Sequence, residues 1–283
     1  NAGNLVKRKV IIQNDLLLEA YDPNPGKEFL ASTDERFRPV NSTIGPDGAM
    51  YIADMYRGMV QHGSYVTPYL REQTLKRGLV LPVHMGRIWR IVPEDWESSP
   101  IPKISKESSK QLIQRLSHPD GWHRDMAQRL LVEREDVSIK SDLEDLVRNG
   151  KSELGRFHGL WTLEGLGLIT PDLLFDLLDD STLLMQNTAI RLLENFARQD
   201  NTIQTKLGKL LTSKVMDAPV EVSMQMALSA YALNIEDASE ILEKTISRFG
   251  ENALVRDAVM SSLGNREFDF LQKLWTSENW KTS

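Results

Sequence analysis

Arg57, His62, Tyr65, Tyr69, Arg71, Arg77 and His84, side chains able to bind or transfer charge, fall in one stretch, residues 55–85. Arg57 and Arg71 carry planar guanidinium groups that can grip a carboxylate or another anion through paired hydrogen bonds. His62 is a candidate general base or metal ligand. Nothing beside it completes a ligand set such as His-x-x-x-His, so the competing reading is a hydrogen-bonded loop histidine. Tyr65 and Tyr69 could stack on a sugar or anchor the stretch to a neighbouring sheet. The substrate- or cofactor-binding candidates are therefore Arg57, His62, Tyr69 and Arg71. A second set, Asp34, Arg36, Arg38, Asp54 and Arg57, has the composition of an ion-pair and turn-capping network. No residue is assigned a catalytic or metal-binding role.

These residues need elements to hold them. Gly45-Pro46-Asp47-Gly48 is a turn tetrapeptide: Pro presets φ, Asp47 bonds its own backbone and Gly48 tolerates positive φ. It predicts an antiparallel hairpin between Pro39–Ile44 and Met50–Asp54. After the insertion at 55–85, Gly86–Val92 returns as a third strand. In it Ile88, Arg90 and Val92 alternate with Trp89 and Ile91, which predicts burial on at least one face. Leu5–Ile12 is also strand-like. Insertions of this length are uncommon in compact domains and often carry function. Unpaired strand edges invite pairing, so this β-segment is expected either to dock on the first helices or to pair with another copy.

Beyond residue 97 the pattern changes. Residues 98–104 read as a linker from their Ser and Pro content, dividing a β-rich segment (1–97) from a helical one (105–283). There a small residue flanked by large apolar ones recurs at Ala127, Gly159, Ala189, Ala227 and Ala258. Each is followed by a second apolar segment: Leu143–Val147, Leu173–Leu178, Ile203–Leu211, Ile241–Ile246 and Phe268–Leu274. Gly150, Gly167 and Thr170-Pro171 supply stop and start signals. Helix pairs repeating every 30–38 residues predict a HEAT-like α-solenoid. His118, His123 and His158, with Asp179-Asp180, Glu133, Glu135 and Asp136, read as solvated faces and turns. Trp122, Trp161, Trp275 and Trp280 read as core or cap residues.

Composition narrows the function classes. The chain has no cysteine, which removes disulfides, thiol nucleophiles, Cys-ligated zinc and covalent haem attachment from these residues. Residues 1–97 balance 12 Lys/Arg against 12 Asp/Glu, while residues 98–283 hold 22 against 28. A net charge of −6 concentrated in the helical half argues against nucleic-acid binding. No apolar run reaches the ~20 residues of a membrane helix. Asn1 is not an initiator residue, and the chain is expected to be a fragment.

The longest informative strings run Glu28-Phe-Leu-Ala-Ser-Thr-Asp34-Glu-Arg36-Phe-Arg38, Gly45-Pro-Asp47-Gly48-Ala-Met-Tyr-Ile-Ala-Asp54-Met-Tyr-Arg57-Gly, Gln61-His62, Thr67-Pro-Tyr69-Leu-Arg71 and Met85-Gly86-Arg-Ile-Trp-Arg-Ile-Val92. They resemble the exported "membrane-bound dehydrogenase" or haem-binding proteins of planctomycetes, verrucomicrobia and Bacteroidetes. Those proteins are similar to quinoprotein sugar dehydrogenases and append HEAT-like repeats to a six-bladed β-propeller. The resemblance implies an α+β multidomain chain: the last propeller blade or blades, then an α-α superhelix. It implies a periplasmic or otherwise exported parent that oxidises sugars or related alcohols. PQQ, calcium and haem c would belong to that parent, with no cofactor in this chain. The implied partners are the remainder of the parent polypeptide and a protein on the solenoid's concave face. The alternative is a non-enzymatic scaffold binding protein or glycan.

Overall fold

The computed structural model describes residues 3–14, 16–97 and 100–276. The chain divides into two compact units, one ending at Lys103 and the other starting at Ile104.

The first unit is built of short antiparallel pairings. Strand β1 (Leu5–Val6), the hairpin of β2 (Val10–Asn14) and β3 (Leu17–Tyr21), and β4 (Leu30–Ala31) come first, with β1 paired to β4. Then β5 (Pro39–Ile44) pairs with β6 (Met50–Asp54). The insertion follows, carrying helix α1 (Pro68–Lys76), and β7 (Arg87–Ile91) closes on the far side of β6. The sheet order is β5-β6-β7. Gly45 and Gly48 close the hairpin turn (Gly48 N–H to Gly45 O, 3.0 Å), and Gly48 sits at φ +76°, which a residue with a Cβ resists.

Among the described residues of this unit only Phe37, Ala49 and Ile52 are buried apolar side chains. Strand β7 departs from its alternation: Ile88 is 74% exposed and Trp89 41%. It is an edge strand whose apolar side chains meet no second layer. Ile11, Ile12, Leu17 and Leu18 on the β2–β3 hairpin are likewise exposed.

The second unit runs α2 (Ser109–Arg115), α3 (Gly121–Arg134), α4 (Lys140–Asn149), α5 (Glu153–Gly165), α6 (Pro171–Asp176), α7 (Leu183–Gln199), α8 (Asn201–Lys214), α9 (Val220–Ser229), α10 (Ile235–Phe249), α11 (Ala253–Ser261) and α12 (Glu267–Thr276). Odd-numbered helices α3 to α11 pack each on the next, while α2, α4, α6, α8 and α10 pack against them as a second layer. The recurring small residues Ala127, Gly159, Ala189, Ala227 and Ala258 are all buried, one per helix of the first layer. A Cβ on Gly159 would lie 3.2–3.3 Å from Leu146 and Val147 of α4, so the missing side chain is what lets these helices close. A continuous core links Leu112 to Leu274. This is the paired-helix solenoid that the spacing predicts.

The first three repeats add a polar fastening, which Met224 and Val255 replace at the equivalent positions of the last two. Three residues before the small residue, Arg124 donates to the His118 and Pro119 carbonyls, Arg156 to Val147 O and Gln186 to Asp180 O. Ser108, Asp120, Ser152, Asp200, Asn234 and Asn252 cap helix N-termini with their side chains. Thr170 occupies the expected N-cap position before Pro171, though its side chain makes no capping bond.

Several helical residues differ from their reading as solvated groups. Asp180 forms a bidentate pair with Arg156, both side chains being 10% exposed. His123 is buried, with Nδ1 2.9 Å from Arg115 Nη1, and Arg115 also grips Glu107. His158 sits 2.7 Å from Gln128, and burial pushes its pKa down against the pull of Asp125. Histidine spacing along the chain cannot separate a helix face turned to solvent from one turned to the next helix. Trp122 and Trp161 pack against the core, whereas Trp275 is 80% exposed and Trp280 lies outside the described residues.

Replacing Gly159 with Leu is expected to cost about 1–3 kcal/mol of helical-unit stability by overpacking the α4–α5 contact. Far-UV circular dichroism melts measure it; an unchanged transition would show that the close approach is not required.

Candidate functional site

The site is organised by two buried carboxylates at the ends of β6. At one end Asp47 accepts from Ala49 N–H (3.1 Å), the Tyr51 hydroxyl (3.0 Å) and Arg90 of β7 (2.9 and 2.7 Å). Burial pushes the Asp47 pKa up, but the hydrogen bonds from Arg90, Ala49 and Tyr51 together hold it below the usual carboxylate range. At the other end Asp54, whose side chain is fully buried, accepts from the backbone N–H of Arg38 and Tyr56 (2.8 Å each) and from Trp89 Nε1 (3.0 Å). One carboxylate thus ties β5, β6, β7 and the first residue of the turn into the insertion. Tyr56 adopts φ +47°, a strained conformation for a residue with a side chain. The Asp54 bond and the Arg87 guanidinium, 3.6 Å over its ring, hold it there.

The insertion is pinned by arginine-to-carbonyl clamps. Arg36 donates to Gly78 O (2.8 Å) and Leu81 O (3.0 Å), and Arg38 Nη2 donates to Gly58 O (3.0 Å). Asp34 sets up this segment by accepting from Arg36 N–H (2.9 Å). At Gly58 an added Cβ would lie 2.4 Å from Leu79 O, so the insertion's two limbs touch backbone to backbone. The expected network of Asp34, Arg36, Arg38 and Asp54 therefore exists, but it works mainly by capping amides and carbonyls. Arg36 lies 4.0 Å from Asp34, and Arg57 is half-buried with no side-chain hydrogen bond among the described residues.

The four binding candidates lie on the insertion without converging. His62 accepts weakly from Ser64 N–H (3.4 Å) at the start of a 3₁₀ turn, Gly63–Tyr65, so it behaves as a loop-capping histidine. Tyr65 and Tyr69 are 79% and 71% exposed, and neither anchors the insertion to the sheet. Tyr69 and Arg71 are two residues apart on α1 and so project from different faces. Arg71 alone borders a recess, about 380 Å³, with Met59, Gly63, Val66, Thr74, Leu75 and Val80. Residue-type reasoning missed this wall. Thr67-Pro68 is the same N-cap and first-turn signature as Thr170-Pro171, and with Thr67 Oγ1 accepting from Leu70 N–H it starts α1. Once α1 is recognised, Arg71, Thr74 and Leu75 fall on one face.

For the cofactors that the resemblance implies, the donor sets are missing. The chain has no cysteine for haem attachment. Among the described residues no group of three or more His, Asp or Glu is placed to hold a metal ion. Among them, too, no helix is long and apolar enough to cross a membrane.

The geometry defines a small polar-framed β-unit and, separately, an α-solenoid. Residues 1–95 match a family described only as a domain of unknown function (DUF7133). Two solved structures are similar to the chain at low TM-score. A designed armadillo repeat protein is 19% identical over 61% of this chain and 89% of that one, at TM-score 0.37. Another designed armadillo repeat protein, in complex with the peptide (KR)4, is 20% identical over 60% and 87%, also at 0.37. No curated protein matches.

Because the folded-state pKa of Asp47 lies below its ordinary value, its bonds stabilise fully above about pH 4 and fade as pH falls through the folded pKa. The β-unit should therefore loosen on acidification below about pH 4, and Asp47→Asn should remove that component. Carboxyl-detected NMR titration checks both; an unshifted Asp47 titration would contradict the arrangement.

Proposed function

We propose that this region is a non-enzymatic binding scaffold: a solenoid that presents its concave face to a protein, joined to a β-unit that packs against further β-structure. The observation that carries this reading is the apolar surface of the first unit. Ile11, Leu18, Ile88 and Tyr65 are each more than half exposed, whereas three apolar side chains are buried there among the described residues. Exposed apolar side chains spread over the β2–β3 hairpin, the insertion and β7, set against so small a buried core, favour a unit that is completed by further structure. The sites that could serve chemistry support the same reading, since His62 caps a turn and, among the described residues, Arg57, His62, Tyr69 and Arg71 do not line one common recess. The solenoid's excess of acidic residues favours a cationic partner segment.

A second reading is favoured by the strings shared with the exported dehydrogenase-like proteins and by the three-stranded antiparallel meander β5-β6-β7, whose outer strands are largely exposed. In it the β-unit is the closing blade of a propeller in a periplasmic quinoprotein-like parent, and the helices space its redox domains.

Two measurements on the protein separate the readings. The scaffold predicts no sugar or alcohol oxidation with added PQQ, calcium and an artificial acceptor. It also predicts that a lysine-rich peptide binds the helical unit more tightly than a glutamate-rich one, with affinity falling between about 50 and 300 mM salt. Turnover across a sugar panel would overturn it in favour of the dehydrogenase.

A further inference from the structure

The recess on the insertion combines three properties. Its walls are set by fixed backbone: Met59 follows Gly58, which Arg38 holds, and Val80 lies between Gly78 and Leu81, which Arg36 holds. Its lining is apolar, through Met59, Val66, Leu75 and Val80. Its one charged lining residue is Arg71, an exposed guanidinium with no side-chain acceptor among the described residues, and no Asp or Glu lines it. Three further recesses differ: in one of about 360 Å³ beside α7, α8 and α9 the lysine, Lys214, is already paired with Asp179, in one of about 430 Å³ on α10 Lys244 is paired with Glu240, and one of about 330 Å³ on the β5-β6-β7 sheet has no cation in its lining.

We propose that this recess binds a small apolar monocarboxylate, with the apolar body against Met59, Val66, Leu75 and Val80 and the carboxylate on Arg71. A volume of about 380 Å³ falls within the range of small-molecule sites. Bidentate pairing with a guanidinium satisfies both carboxylate oxygens and neutralises its single charge. A phosphate dianion would keep surplus charge, since the lining offers no second cation. The apolar lining selects against small hydrophilic anions because it has nothing to offer their hydration shell. This site is independent of the scaffold reading, because it lies on the insertion and uses neither the solenoid nor the open sheet face.

The test is a ¹H–¹⁵N NMR titration of the whole chain with 4-phenylbutyrate, 4-phenyl-1-butanol and inorganic phosphate. Phenylbutyrate is expected to shift amides between residues 59 and 80, with the alcohol about tenfold weaker and phosphate without effect there. Arg71→Gln should reduce acid binding to that of the alcohol, and Arg71→Lys should restore part of the difference. Val80→Trp, at a half-exposed wall position, should block the acid while leaving Arg71 intact. Equal shifts from acid and alcohol, binding that survives Arg71→Gln, or no shifts up to about 10 mM ligand would each overturn the proposal.

Discussion

Two buried carboxylates, Asp47 in the turn before β6 and Asp54 at its end, hold the three-stranded sheet of the first unit together. Asp47 fastens the turn before β6 to Arg90 on β7, and Asp54 fastens the strand's end to Arg38, Tyr56 and Trp89. With Phe37, Ala49 and Ile52 as the buried apolar side chains described there, burial of hydrocarbon cannot carry the unit alone. The order of causes follows. The turn tetrapeptide places Asp47, the hairpin places Asp54, Asp54 fixes Arg38 and Tyr56, and Arg38 with Arg36 then fixes the insertion. A buried acceptor that loses its donors costs more than an exposed one gains by having them, which makes these carboxylates the points where the unit is most sensitive.

The helical unit rests on the opposite arrangement. Its core is continuous hydrocarbon, and its polar groups decide register instead of cohesion. Glu194 on α7, buried, accepts from Ser229 (2.6 Å) at the end of α9 and from Tyr231 (2.7 Å) just beyond it. Arg156 joins the end of α4 and the turn before α7 through Val147 O and Asp180. Such contacts act only between neighbouring repeats, as a stack whose interactions are local requires. Two units with such different sources of stability have different weaknesses: acid and loss of hydrogen bonds in one, overpacking at the small-residue contacts in the other.

Much of this was legible in the residues. The turn Gly45–Gly48, the strands on either side of it and the return strand at Arg87–Ile91 follow from φ preferences and alternation. The five small residues identified the first layer of helices, because close approach is a requirement that a sequence states openly. What alternation could not state is whether a second layer exists to bury a face, and so β7 is more exposed than its pattern implies. Single polar residues were the least legible. Asp180 resembled a solvated turn because its partner Arg156 is 24 residues earlier in the chain. Arg71 stood out by type, but Leu75 and Val80, which give it a recess to border, carry no chemical mark.

These particulars bear on function through rigidity. A binding site needs walls that do not collapse when empty, and the insertion has them because its carbonyl at Gly58 is held by Arg38, which Asp54 helps to position, and those at Gly78 and Leu81 by Arg36, which Asp34 helps to position. The most direct measurement of the account is hydrogen–deuterium exchange on Asp54→Ala beside the unsubstituted chain. The account predicts that amide protection falls by about tenfold or more across residues 38–58 and 78–91 while helices from residue 104 onward keep theirs. Unchanged protection across those two segments would show that the buried carboxylate is not what holds the unit, and would contradict it.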